Sequence, residues 1–215
     1  MSSSLSLGEY TVTLPKPLGI ILEERDSDKD GVQVSSLAPG GAADQQGSIV
    51  PGDVLVQINE NSVQNSDFDS IMDLLIDATS PVPLIMSDGL GTMDIAPNLA
   101  KRMETSDLFL VDKVVRMAAR TIRQMENSQL GFLRSVEVII GAGVSKDAKS
   151  GRKRCMVRFF AIFSTDTVST FSCSVAATGV EIEDKNDDSV EIISLSCAKD
   201  EGWGQTVDLI VEKKE

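Results

Sequence analysis

The period of apolar and polar positions changes along this chain. From Tyr10 to Met86 apolar residues come in short runs broken by Gly and Pro, the pattern of strands joined by tight turns. Tyr10–Leu14 alternates and stops at Pro15. Gly19–Glu24 is apolar, then acidic. Asp26–Gly31 is a polar turn, Val32–Leu37 a strand and Ala38–Gly41 a second turn. A short helix fits Ala42–Gln46, closed by Gly47, and Asp53–Ile58 is a strand behind the turn at Pro51-Gly52. Ser66 or Asp67 caps a helix running to about Ala78, with Phe68, Ile71, Leu74 and Leu75 on one face. Pro81 ends it, and Val82–Met86 is the last strand of this half.

Ser87–Arg102, with two Gly and one Pro, reads as a linker, which gives domains at 1–90 and 105–215 joined by 91–104. Asp107–Asn127 then carries the strongest helical period of the chain: Leu108, Val111, Val114 or Val115, Ala118, Ile122 and Met125 recur at three- and four-residue steps, behind a cap at Ser106. Strand-like segments follow at Ser135–Ile140, Arg154–Phe163, Val168–Glu183 and Ser189–Ala198. A fifth, Gln205–Val211, comes after a Gly202-Trp203-Gly204 turn. One long helix followed by a meander predicts an α+β layer, the helix packed on an antiparallel sheet by Phe159, Phe160, Phe163, Phe171 and Trp203. In outline this is similar to cystatin-like and NTF2-like layouts, by shape alone. Alternation puts Cys155, Val157, Phe159 and Ala161 on one face and Met156, Phe160 and Ile162 on the other. That strand is therefore either covered on both sides or exposes a face for a partner.

Composition removes several classes of function. No histidine occurs among the 215 residues, which excludes Ser-His-Asp and Cys-His nucleophilic sites and the commonest metal ligand. Cys155, Cys173 and Cys197 are far apart in sequence and sit in apolar segments, so buried reduced thiols and a reducing compartment are expected. The net charge of −13 is lopsided: residues 1–99 hold 15 acidic and 3 basic residues, residues 100–215 hold 18 and 17. The acidic half repels nucleic acid and anionic membrane and favours basic partners. No apolar run approaches the roughly 18 residues of a membrane helix, and the Ser-rich start Met1–Leu7 has no secretory pattern. Lys146–Arg154 is a basic hairpin tip, either solvated or set against phosphate or an acidic protein surface. No aromatic residues interleave there for base stacking.

Two apparent motifs fail on spacing. Asp26-Ser-Asp-Lys-Asp-Gly31 matches the first half of a calcium-binding helix–loop–helix, but its twelfth position is Leu37, where a bidentate Glu is required. Gly89-Leu-Gly91 and Gly141-Ala-Gly143 lack the further Gly, or Gly-Lys-Ser/Thr, of nucleotide loops. No metal or cofactor is expected.

Four segments in order carry a family resemblance. They are Pro17-Leu-Gly-Ile20, Ala38-Pro-Gly-Gly-Ala-Ala-Asp-Gln-Gln-Gly47, Val50-Pro-Gly-Asp-Val-Leu-Val-Gln-Ile-Asn59 and Asp67–Leu75. Together they resemble a PDZ domain over residues of roughly 9 to 90. The resemblance implies a small β-barrel or sandwich with two helices that captures a peptide's C-terminal carboxylate. The amides of Leu18, Gly19 and Ile20 would form the cradle, with Lys16 adding long-range attraction. The edge of Ile20–Glu24, with Ile21 on it, would pair with the peptide as an added strand, and Leu18, Ile20, Leu22, Ile71 and Leu74 would line a pocket for an apolar last side chain. Pro17 stands where the family has its first loop glycine and removes one N–H at the rim. Asp67, at the start of the second helix, either reads a hydroxyl or cation in the peptide or simply caps the helix. Asp69, Asp73 and Asp77 form a solvated face that could also steer a basic ligand.

The function expected is that of a two-domain, non-catalytic adaptor. Its first module binds a peptide with basic or hydroxyl-bearing residues near an apolar C-terminus, and residues 105–215 form a dimer or anchor to a larger complex. One alternative is a structural subunit whose groove is unused; another is a second domain that binds a small molecule or is enzymatic. Lys16–Glu24 is also similar to PDZ modules of plant and algal plastid proteins, which implies the stroma, and attachment to a thylakoid complex such as photosystem I, as an alternative to the cytoplasm.

Overall fold

The computed structural model describes residues 8–25, 31–124, 132–146, 153–164, 168–179 and 191–199. The chain divides into two compact units, Met1–Gly91 and Thr92–Glu215. No helix among the described residues is long and apolar enough to cross a membrane.

In the first unit six strands form one sheet: β1 (Glu9–Leu14), β2 (Ile20–Glu24), β3 (Val32–Leu37), β4 (Val54–Ile58), β5 (Asn61–Ser62) and β6 (Val82–Ser87). The order is β1-β6-β4-β3-β2, with β5 paired to β4. Helix α1 (Ala42–Gln46) follows β3, and α2 (Phe68–Asp77) lies between β5 and β6. Period-2 alternation buries Val12 and Leu14 of β1, Val32 and Val34 of β3, and Val82, Leu84 and Met86 of β6. These close around Ile49, Leu55, Ile58, Val63 and Ile71 as one core. Asp53, fully buried, accepts from the Tyr10 hydroxyl and from the Val50 amide, holding the Pro51-Gly52 turn against β1. The two-residue β5 is too short to show in the apolar pattern. Residues 26–30 of the calcium-loop look-alike lie outside the described residues.

The second unit contains β7 (Asp94–Ile95), α3 (Pro97–Ala100), α4 (Thr105–Gln124), β8 (Phe132–Lys146), β9 (Lys153–Ser164), β10 (Val168–Gly179) and β11 (Glu191–Lys199). Its sheet runs β11-β10-β9-β8-β7. The expected linker 91–104 is thus partly structured: β7 pairs parallel with β8, so the sheet is antiparallel except at that edge. Pro97 opens α3, where its missing N–H costs nothing. α4 starts at Thr105, which places Ser106 inside the helix rather than at its cap. Its apolar stripe, Leu110, Val111, Val114, Val115, Ala118, Ala119 and Ile122, is buried, and Arg116 is buried on the same helix, paired with Asp112 at 2.8 Å. Cys155, Val157, Phe159, Ala161 and Phe163 of β9 point inward, while Met156 on the outer face is 67% exposed and Phe160 and Ile162 are half-buried. Three register shifts interrupt the ladder of β8 against β9. The basic tip is shorter than expected, because β8 runs to Lys146 and β9 begins at Lys153, whose ammonium pairs with Asp107 at 2.8 Å. Residues 147–152, the segment 205–211 and Trp203 lie outside the described residues.

The expectation of three reduced thiols is corrected. Cys173 and Cys197 are directly opposite each other on β10 and β11, 4.1 Å apart at Cα, and their sulfurs are bonded. Two cysteines 24 residues apart become neighbours once a hairpin sets their register, which spacing alone does not reveal. Cys155 is free and buried.

Candidate peptide-binding groove

The site is built from the loop Lys16–Gly19, the strand β2 and the helix α2. The Leu18 carbonyl accepts from the Ala43 amide at 3.0 Å, and the Gly19 carbonyl accepts from the Ala38 amide at 2.9 Å. In a trans peptide the N–H points opposite to the preceding carbonyl. The Gly19 and Ile20 amides are therefore turned away from residues 38–43, on the side where Gly19 and Ile20 line a cavity. The Leu18 amide is not oriented by these bonds. Gly19 has φ +72°, and a Cβ there would lie 3.0 Å from the Cα of Gly41. Conformation and close approach both demand glycine.

β2 is the last strand of its sheet, so its outer edge pairs with no described strand. Ile20 faces Leu37 across the ladder, and with the Gly19 carbonyl bonded to Ala38, the Ile20 amide points to that open edge. Between β2 and α2 lies a groove of about 790 Å³, walled by Leu18, Ile20, Ile21 and Leu22 on one side and Phe68, Met72, Leu75 and Ile76 on the other. Leu55, Leu84 and Met86 reach it from the core side. Ile21 and Ile76 stand at its rim, 50% and 69% exposed.

The expected helix face needs correction. At about 100° per residue, Phe68, Met72, Leu75 and Ile76 share one arc, and that arc lines the groove. Ile71 falls on the neighbouring arc and is fully buried in the core, while Leu74 packs against the same core. Neither lines the groove. Both arcs are apolar, so the sequence fixes the amphipathic helix but not which apolar half meets the groove.

Lys16 donates from Nζ to the Ile76 carbonyl at 2.7 Å, and its amide donates to Ser80 Oγ at 3.0 Å. It therefore ties the loop to the last turn of α2, so the loop and the C-terminal end of α2 share one end of the groove. Asp67 is the N-cap of α2: one carboxylate oxygen accepts from the Ser70 amide at 2.9 Å and the other from the Ser70 hydroxyl at 2.7 Å. These bonds hold its carboxyl below the usual aspartate value. Both oxygens are thus engaged within the helix, and Phe68, one residue on, is what the helix start presents to the groove. Among the described residues no three Cys, Asp or Glu side chains converge as a metal site.

An open strand edge, outward amides beside a positive-φ glycine, and an apolar groove under a helix lie together in this unit. Residues 11–86 match the family model described as PDZ domain, and this part of the chain is a PDZ domain. Over 94 residues it is 30% identical to segment polarity protein dishevelled homolog DVL-1 of Homo sapiens, covering 40% of this chain and 14% of that protein. It is 37% identical over 57 residues to human tyrosine-protein phosphatase non-receptor type 13, covering 26% and 2%. The chain thus spans only a small part of the curated relatives it matches. Among solved structures it is similar to the second PDZ domain of Dlg1 from the choanoflagellate Monosiga brevicollis, at 22% identity and a TM-score of 0.35, covering 37% of this chain and 92% of that one. It is also similar to INAD PDZ3, solved in complex with a TRP channel tail, at 27% identity and a TM-score of 0.33, covering 37% and 86%.

Proposed function

We propose that the first unit binds the C-terminal segment of a partner protein as an added strand on β2, and that the whole chain works as a non-catalytic adaptor. The observation that carries this reading is the outward orientation of the Gly19 and Ile20 amides at the open edge of β2, beside an apolar groove. A terminal carboxylate finds donors there, and its last side chain enters the groove between Leu18, Ile20 and Leu75. Alternation along a strand sends the third-last side chain to the same face. It meets Phe68 and Met72, which are apolar, while the Asp67 carboxylate is engaged by Ser70. The favoured ligand ends in two apolar residues separated by one of any kind, rather than carrying a hydroxyl at the third-last position. The second unit, through its exposed outer sheet face, supplies a further contact that raises avidity. Plastid location and attachment to photosystem I rest on Lys16–Glu24 alone and gain no support from the relatives above.

The test is a titration of the isotope-labelled full chain with a peptide ending in Phe-Ser-Val, followed by amide chemical shifts. Movement of the Gly19, Ile20, Ile21 and Leu22 amides, lost when the peptide carboxylate is amidated, is the expected outcome. No perturbation along β2, or equal binding of the amidated peptide, overturns the reading.

A further inference from the structure

The groove is charged differently at its two ends, and this deepens the reading just given, on which it rests. One end is set by the contact of Lys16 Nζ with the Ile76 carbonyl, where the loop, the first residue of β2 and the last turn of α2 come together. It holds the outward amides and a lysine ammonium. β2 runs from there to Glu23 and Glu24, both exposed. α2 runs the opposite way, so its first turn, with Asp67 and Asp69, flanks the far end. Helical phase puts Asp69 next to Ile76 in angle, at the solvent rim of the groove-facing arc, with Asp73 beyond it. Neither β2 nor α2 contains a basic residue. Arg25, directly after Glu24, is the nearest cation in sequence. Glu23 accepts from the Gln33 side chain at 2.7 Å, a neutral donor that leaves its charge in place.

We infer that the partner segment carries Lys or Arg three and four residues before its apolar C-terminus. The register follows from the added strand. If the last residue lies opposite Ile20, an antiparallel ligand places the residues three and four positions upstream opposite Glu23 and Glu24, the latter about 13 Å along the groove at ~3.3 Å per residue. A ligand that is negative at its end, apolar next and positive upstream matches the groove in the same order: donors, apolar walls, carboxylates. Such matching acts mainly on encounter rate and is screened by salt.

The experiment measures binding of three fluorescein-labelled peptides to the full chain by anisotropy at low ionic strength. The first ends in Lys-Arg-Phe-Ser-Val with a free carboxylate, the second has Gln-Gln in place of Lys-Arg, and the third is the first with its carboxylate amidated. The first is expected to bind about fivefold more tightly than the second, the size of two exposed ion pairs. That gap should close in 1 M salt and in the variant Glu23→Gln/Glu24→Gln/Asp69→Asn, none of which contributes a buried contact. Equal binding of the first two peptides, with loss on amidation, overturns the charge inference and leaves the groove reading standing. Absence of binding by all three overturns both.

Discussion

Lys16 Nζ donates to the carbonyl of Ile76 across 60 residues of sequence, at 2.7 Å. The carbonyl is one of the last of α2, where no intrahelical donor remains. A lysine there satisfies it and sets positive charge against the negative end of the helix dipole. The same bond fixes the width of the groove at its loop end. Lys16→Met removes the bond while keeping the apolar stem. It is expected to destabilise the first unit by about 0.3–1 kcal/mol. Amide exchange should speed up in the last turn of α2 and in Leu18 and Gly19 together, and peptide affinity should fall a few-fold. Faster exchange in α2 alone would mean that the loop is held without the lysine.

Gly19 and Gly40 form an internal control for what the loop requires. Both have positive φ, +72° and +71°. A Cβ at Gly19 meets the Gly41 backbone at 3.0 Å, whereas a Cβ at Gly40 meets nothing within 4 Å. Either Gly→Ala change costs about 1–2 kcal/mol from the left-handed conformation alone. Gly40→Ala should stop there and keep peptide binding within about twofold of the parent, since its side chain enters open space. Gly19→Ala must also push the loop off residues 38–43, which carry the bonds that orient its amides. Its peptide affinity should fall at least about tenfold, roughly the worth of one charge-assisted hydrogen bond. Similar binding by the two variants would detach the loop geometry from recognition.

The sequence makes most elements of the first unit visible because its turns are chemically marked. Pro15, Gly47 and Pro51-Gly52 bracket runs whose alternation matches the burial found, and Val32–Leu37 and Ala42–Gln46 fall on the residues expected. The groove was legible on its β2 wall, where Leu18, Gly19, Ile20, Ile21 and Leu22 come together, and not on its helix wall. Phe68, Met72, Leu75 and Ile76 are no more apolar than Ile71 and Leu74. Only the rotation of α2 about its own axis decides which set faces β2, and that rotation is set by tertiary packing. The second unit shows the same limit. β9 announces its inward face, but the pairing of β7 with β8 and of Cys173 with Cys197 depends on sheet order and register, which local pattern does not encode.

Asp67 provides a prediction in pH. Its carboxyl is held below 3.8 by hydrogen bonds from Ser70, and its ordinary value applies in the unfolded chain. A group depressed on folding adds stability above its unfolded value and loses it as pH falls through the folded one. Asp67→Ala should therefore melt at a lower temperature than the parent at pH 7, and the difference should shrink as pH drops below 3.8. Thermal melts from pH 7 to pH 2 give the comparison. Asp67→Asn, which keeps an acceptor but no titrating charge, should retain most of the capping at neutral pH and flatten the acid dependence. A gap between parent and Asp67→Ala that stays constant into acid would show that the carboxylate charge contributes nothing to the cap.

The cysteines give a count that separates the sequence expectation from the structure. Burial, and then the negative charge of Asp107, push the Cys155 thiol up to about 12. The thiolate is the reactive form, so at pH 8 Cys155 is protonated as well as shielded beneath α4. Native protein should release no colour from a disulfide reagent such as Ellman's over minutes. In guanidinium chloride without reductant, the bonded pair Cys173–Cys197 leaves Cys155 alone to react, one equivalent per chain. Reduction in the denaturant, followed by removal of the reductant, should raise this to the three cysteines of the sequence. Three equivalents without reductant would restore the reduced-thiol reading and remove the covalent link between β10 and β11. The same strands would then be held only by their ladder and by the packing of Phe171, Val175 and Leu195 in the core.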